Sequence, residues 1–438
     1  MNRLLRQASA ALIPSHPQGR VLALSAVLDA TSTGALLGSF VLYFVDVAQI
    51  PSAKVALAST IAGAAALLVP VPVGRLADRY GAARFYILLL VLRGLAGFLY
   101  ASASGFASFA AITVLFTTAH RASLPIQQSA VVAAVGGQER ARTMAAVRAI
   151  RNVGLTLGSL LGAAAFAADR QTSFTLLFLG SGTLFVVAAL IVRPALTQYQ
   201  DPQTPEPIPK TPRQVTATAR SSPFRDRWFM ALTAANAVFF LHDTLLSVML
   251  PVWVIEHTDV PAALVPLLSA VNTVLTVLLQ VYVARFAEGF TAARRLLLPA
   301  GTLLVCCCLL FALAGSVPVG WAAAGIVVAV IALTVAENLH AVAAWELSAA
   351  LSPPSARTEY LSTFSLALAG QKAAGPSLLV IVLMPLGPAA WAVLGTAFAA
   401  ATLASRTAAH RSAAERTDDG ERTIPHPPPH NQQSKVAP

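Results

Sequence analysis

Apolar residues in this chain come in runs of about 20, each closed by a short break of charged residues, proline or glycine. At 1.5 Å per residue, such a run crosses a hydrocarbon core of roughly 30 Å as a helix. The runs predict helices over about 20–44, 54–74, 84–104, 108–134, 143–167 and 173–193. After a polar gap they predict six more, over about 228–255, 262–284, 295–316, 320–349, 359–383 and 388–405. The gap, Pro194 to Asp226, contains "DPQTPEPIPKTPR"; its prolines forbid regular helix and predict an extended linker. The stretch after Arg406, ending "IPHPPPHNQQSKVAP", is predicted to be disordered for the same reason. The expected organisation is a first bundle over 1–193, a linker over 194–227, a second bundle over 228–405 and a tail over 406–438.

Composition turns these helices into membrane spans. Of 438 residues, 56% are hydrophobic and only 11% are charged, against about 25% in a soluble domain that must cover its surface for water. A formal charge of +11 raises the question of a nucleic-acid partner, and placement answers it. No basic patch with interleaved aromatics exists; the basic residues sit in alternate connections. Arg75, Arg79 and Arg84 share one, Arg140 and Arg142 another, then Arg285, Arg294 and Arg295, and finally Arg357. The intervening connections carry Lys54, Arg170, and no basic residue around Ser316 to Gly320. That alternation predicts a multi-pass protein of the cytoplasmic membrane with both termini inside, which requires an even number of spans. Twelve fits.

Cys306, Cys307 and Cys308 are consecutive in one apolar run, without zinc-ligand spacing, and read as packing residues. No metal site and no cofactor is expected. The first twenty residues lack a short apolar run with a small-residue cleavage site, so the first span reads as a retained helix.

The two sets of six resemble each other. "GRLADRYGAAR" (Gly74 to Arg84) returns as "ARFAEGFTAAR" (Ala284 to Arg294) at an offset of 210, matching Arg75 with Arg285, Asp78 with Glu288 and Arg84 with Arg294. "RARTMAAVRAIRNVGLTLGSLLG" lines up with "RTEYLSTFSLALAGQKAAGPSLL" at an offset near 217, bringing Gly158 onto Gly375. A charged loop repeated at the same topological place predicts two pseudo-symmetric six-helix bundles made by duplication.

The first copy of the loop, with Gly74, Arg75, Asp78, Arg79, Gly81 and Arg84, resembles the signature loop of the major facilitator superfamily, G-x-L-a-D-r-x-G-r-k/r. The resemblance implies an all-α membrane fold of two six-helix bundles around a central cavity, rocking to expose a site to either face. It also implies that Asp78 meets the start of the eleventh helix, near Thr358, as a latch on the cytoplasmic gate. A carboxylate at the positive end of a helix is worth about 0.3–2 kcal/mol. The second copy departs from the pattern, with Ala284 and Thr291 in place of the glycines. In the fifth span, Gly154, Gly158 and Gly162 form a small-residue face that resembles the antiporter motif of drug:proton exchangers. Ser159 stands for its proline and Ala163 for its last glycine, while the eleventh span keeps Gly375-Pro376. Ordinary helix packing explains the same spacing.

Ionisable residues inside the spans complete the candidates, since each costs at least about 2.5–3.5 kcal/mol to insert and must be neutralised, paired or hydrated. They are Asp29, His120 with Arg121, Arg148, Arg151, His242 with Asp243, Glu337 with Asn338 and His340, and Lys372. His120 and Glu337 match under the 217 offset, which predicts a shared central cavity. A low dielectric favours a neutral carboxyl, so Asp29 and Glu337 are the proton-carrier candidates. His120 and His242 belong to the side-chain type that titrates near neutral pH. Arg121 resembles the fourth-helix arginine of proton-coupled members, although Pro125 stands where that motif has glycine. Arg148, Arg151 and Lys372 either contact substrate or snorkel and bridge the halves. His242 and Asp243 could equally be a structural hydrogen-bonded pair.

Taken together these readings predict a secondary transporter, monomeric, with a small-molecule substrate and protons as partners. Proton-coupled efflux of a small amphipathic compound is the first expectation. Uptake of a small metabolite is the second, with Arg121, Arg148 and Arg151 available to an anion. A membrane sensor without turnover is the third. No G-x-x-x-x-G-K-[ST] loop is encoded, so direct ATP drive and an enzymatic role are not expected.

Overall fold

Each predicted run folds as a helix, because in hydrocarbon only a continuous helix satisfies its own backbone N–H and C=O groups. The structure, a computed structural model, describes residues 17–103, 105–135, 139–168, 170–197, 222–261, 264–284, 286 and 289–422. Twelve rods follow in chain order among the described residues. The first six are α1 (Pro17–Leu42), α2 (Ser52–Leu68 continued by Pro70–Tyr80), α3 (Ala82–Tyr100), α4 (Phe106–Ala134), α5 (Glu139–Ala167) and α6 (Arg170–Thr197). The second six are α7 (Arg227–His257), α8 (Leu264–Ala284), α9 (Phe290–Ala314), α10 (Val319–Ala350), α11 (Arg357–Ser377) and α12 (Pro388–Arg422).

Nine of these are long and apolar enough to cross a membrane, and α2, bent by 45° at Val69, makes a tenth. The bend has a cause: Pro70 has no N–H to continue the ladder. The other two are instructive. In α8 the apolar stretch among described residues is short, Leu267–Leu279. The helix α4 is long but carries buried Thr113, Ser123, Gln127, Gln128 and Ser129, as befits a helix enclosed by protein.

Packing repeats with a period of six helices. In the first set α1 lies on α5 and α6, α3 on α4 and α6, and α2 on α4. In the second, α7 lies on α11 and α12, α9 on α10 and α12, and α8 on α10. Each pair has its counterpart six helices on. The contacts between sets obey the same relation: α2 meets α11, and α8 meets α5. The two bundles are therefore pseudo-symmetric, each around its own apolar core.

Several boundaries differ from the sequence reading, among them the end of α2, which runs past the expected 74 to Tyr80. Helix α6 runs through Pro194 to Thr197, and α12 continues from the expected end at 405 to Arg422. Residues 406–422 are rich in alanine, arginine and glutamate, which hold helix well. Ala408, Ala409 and Ser412 are buried, and Glu415 accepts hydrogen bonds from Arg227 (2.9 Å) and Trp228 Nε1 (2.7 Å) at the start of α7. That anchorage orders a segment whose composition alone read as tail. The rest of the linker and tail expectations, 198–221 and 423–438, lie outside the described residues.

Candidate functional site

Charged side chains inside the spans gather into three clusters. In the first bundle, Asp29 on α1 is sealed from solvent and forms ion pairs with Arg93 on α3 and, at 2.8 Å, Arg151 on α5. Arg93 also donates to Thr33 and, at 3.3 Å, to Ser123, and lies 4.3 Å from the centre of the Phe185 ring. One carboxylate holding two guanidiniums ties three helices together. His120 stacks on Phe116 beside this cluster.

Between the bundles, Glu337 on α10 pairs with Arg148 on α5 at 3.1 Å. Asn272 on α8 donates to Glu337 (3.4 Å) and to Thr334 (2.9 Å). Glu337 lies on the wall of a cavity of about 560 Å³ between α5, α8 and α10, with Asn152, Thr156, Asn272 and Thr276. A second cavity of about 490 Å³ lies between α2, α4 and α11, lined by Arg121, Thr117, Lys372 and small apolar residues. Shifting α2, α4 and α11 by six helices gives α8, α10 and α5. The cavities are symmetry mates, one walled by an acid and the other by cations.

In the second bundle Asp243 on α7 pairs with Lys372 on α11 at 3.1 Å, both half exposed. The adjacent His242 does not bond Asp243. Its ring lies 6.0 Å from that of His340, which hydrogen-bonds Asn236 (2.8 Å) and stacks on Phe239. Asn338 turns inward and donates to the Thr334 carbonyl at 2.8 Å.

At the Asp78 end, the cleft between the bundles is closed. Both carboxylate oxygens of Asp78 accept backbone N–H bonds, from Thr358 and Glu359, at 2.8 Å each. These are free donors in the first turn of α11, where the helix dipole favours an anion. Arg75 pairs with Glu359 at 2.7 Å, Thr358 donates to Ser129 at 2.9 Å, and Gln128 donates to the Trp345 carbonyl and to Ser348. Gly74 allows the approach: a Cβ there would come within 2.8 Å of the Thr358 carbonyl. Gly81, with φ of 103°, makes the turn into α3 in a conformation other residues avoid. Arg79 lies over the ring of Tyr80. In the second copy of the loop, Arg285 and Glu288 lie outside the described residues, Ala284 ends α8, and Arg294 lies in the first turns of α9.

The sequence profile of the Major Facilitator Superfamily matches residues 22–376. The chain belongs to the Major Facilitator Superfamily. It is a multi-pass membrane protein with the fold of a secondary transporter. No curated protein is matched by its sequence. Among solved structures it is similar to a bacterial homologue of the iron transporter ferroportin in an outward-facing state, with a TM-score of 0.68, 16% identity, and coverage of 91% of this chain and 100% of that one. The human organic anion transporter MFSD10 (TETRAN) gives 0.60 and 16%, over 89% and 100% of the two chains. FucP, a superfamily transporter in the outward conformation, gives 0.58 and 13%, over 89% and 98%.

His120 and Glu337, expected to share one central cavity, do not line the same one of the two cavities described above. Glu337 lines the first; Arg121, the sequence neighbour of His120, lines the second. The glycine face of α5 is a seam inside the first bundle: a Cβ on Gly154 would come within 2.8 Å of the Val27 carbonyl, and one on Gly158 would overlap the backbone of α1 at Thr31 and Ala35. Gly162 is buried on the same helix. Gly375, one residue before Pro376, faces Thr244 of α7 and Gln371 of its own helix in the equivalent seam. Sequence reading passed over Arg93, although a lone arginine in "ILLLVLRGLAGFLY" meets the same criterion as the other intramembrane charges. Gln128, Ser129 and Glu359 carried no signal beyond their polarity.

Proposed function

We propose that the protein is a proton-coupled secondary transporter that exports a small amphipathic molecule by alternating access. The observation that carries this reading is the Glu337–Arg148 pair, which crosses between the bundles on the wall of a cavity. A proton on Glu337 cancels the negative partner. Breaking such a pair costs up to about 3–5 kcal/mol when the remaining charge stays buried. That exceeds the 1.4 kcal/mol needed for each tenfold change in population, so protonation favours the arrangement in which Arg148 reaches water. Asp29 is the second carrier candidate; its carboxylate is shared between two arginines, Arg93 and Arg151.

In this reading the Asp78 end is cytoplasmic, as its arginines favour, and the cell membrane is the location. Residues 1–193 and 228–405 rock as units joined by 194–227. Asp78 on the α11 N-terminus latches the cytoplasmic side while the cavities face outward. The protein works as a monomer. Export is supported by the resemblance of the α5 glycine face to that of drug:proton exchangers. Uptake by the same fold is favoured by one observation, the cationic wall of the second cavity.

Purified protein in liposomes loaded with a pH-sensitive dye tests both. Addition of a transported amphipathic compound is expected to move protons, and Glu337→Gln to abolish that movement. Proton movement unchanged in Glu337→Gln and in Asp29→Asn rejects these carriers. The sign of flux in inverted vesicles separates export from uptake.

A further inference from the structure

Among the described residues, ion pairing within the spans leaves one cation without a partner. Arg93, Arg121, Arg148, Arg151 and Lys372 lie within their helices, and the described ion pairs there involve three carboxylates. Asp29 holds Arg93 and Arg151, Glu337 holds Arg148, and Asp243 holds Lys372. Arg121 has no ion pair and no hydrogen bond among the described residues. It sits about 20 Å from the Ala134 end of α4 at 1.5 Å per residue, a depth at which a cation needs a partner or water.

Its surroundings sharpen the imbalance. The neighbouring His120 lies within electrostatic reach of Arg93, Arg121 and Arg151, and its Nδ1 is buried without a hydrogen-bond partner. Arg121 opens into the 490 Å³ cavity, where Lys372 and Thr117 are polar and Leu67, Ala369 and Ala373 are not. That volume lies in the range of about 300–1,000 Å³ common for small-molecule sites. The symmetry-related cavity carries Glu337 instead, so the two differ in charge while sharing a frame.

We infer that the α2/α4/α11 cavity binds an amphipathic organic anion, its carboxylate on Arg121 and its apolar body on the leucine and alanine wall. The planar guanidinium fork matches a carboxylate with two parallel hydrogen bonds. Lys372 is already engaged by Asp243 and contributes less. The inference deepens the transport reading by naming its substrate class and rests on that reading for carriage, though not for binding. It assigns the two cavities different cargoes, the organic anion at Arg121 and the proton at Glu337.

Binding to purified protein by isothermal titration calorimetry, with 4-phenylbutyrate, 4-phenylbutanol and 4-phenylbutylamine as charge-varied probes of one shape, tests it. The carboxylate is expected to bind at least tenfold more tightly than the alcohol, and the amine weakest. Arg121→Gln is expected to remove that preference, and Arg121→Lys to restore most of it, in protein whose elution and thermal midpoint show it folded. Equal affinity for the three probes, no binding of the carboxylate, or an undiminished preference in Arg121→Gln overturns the inference. Carboxylate binding without proton-linked flux would reject the transport reading and leave the site standing; flux with no Arg121-dependent binding would do the reverse.

Discussion

Asp29 illustrates how a single side chain reads differently in sequence and in space. In the sequence it is a lone acid in an apolar run and hence a proton-carrier candidate; in the fold it pairs with both Arg93 and Arg151. The sequence could mark the charge as costly but not name its partners, because those sit on helices far away in the chain. Removing one member of a buried cluster leaves uncompensated charge and costs about 3–5 kcal/mol. Asp29→Asn is therefore expected to reduce the folded fraction after heating, measured by size-exclusion chromatography. Arg93→Met, which leaves one balanced Asp29–Arg151 pair, is expected to be milder. Equal stability of Asp29→Asn and the parent would mean the cluster carries no structural load.

At the scale of the element, motifs translated into packing more directly. The loop around Asp78 was legible because its glycines and charges are spaced for a turn and a helix-end contact, and α11 begins at Arg357, one residue before the Thr358 that the resemblance named. Asp78→Asn keeps an acceptor but loses the charge facing the dipole, worth about 0.3–2 kcal/mol. It is expected to raise the labelling rate of a cysteine at Ser362, buried against Gly74 in the closed end, by roughly 2- to 30-fold; an unchanged rate would deny the latch. The glycines of α5 were legible as a smooth face but not as to which helix covers it. The answer is α1, so Gly158→Leu is expected to destabilise the first bundle by about 1–3 kcal/mol or more through overpacking. Thermal melting in detergent checks this, and a melting point equal to that of the parent would contradict the seam.

For the whole molecule, the repeated loop and the 210-residue offset made the two-bundle architecture legible before any coordinate, because duplication preserves charge placement at helix ends. What repetition could not convey is that the symmetry-related cavities have diverged in charge. That divergence rests on Glu337 and Arg121, which appeared in sequence as two among several intramembrane charges. In the proposed cycle, loss of charge at Glu337 releases the cross-bundle tie and opens the closed end. Double electron–electron resonance between spin labels at Tyr80→Cys and Ser355→Cys, with Cys306, Cys307 and Cys308 replaced, measures that opening in liposomes. One short distance is expected at high pH, and a second, longer one at low pH or in Glu337→Gln. A single distance, unchanged by pH and by that substitution, would contradict it.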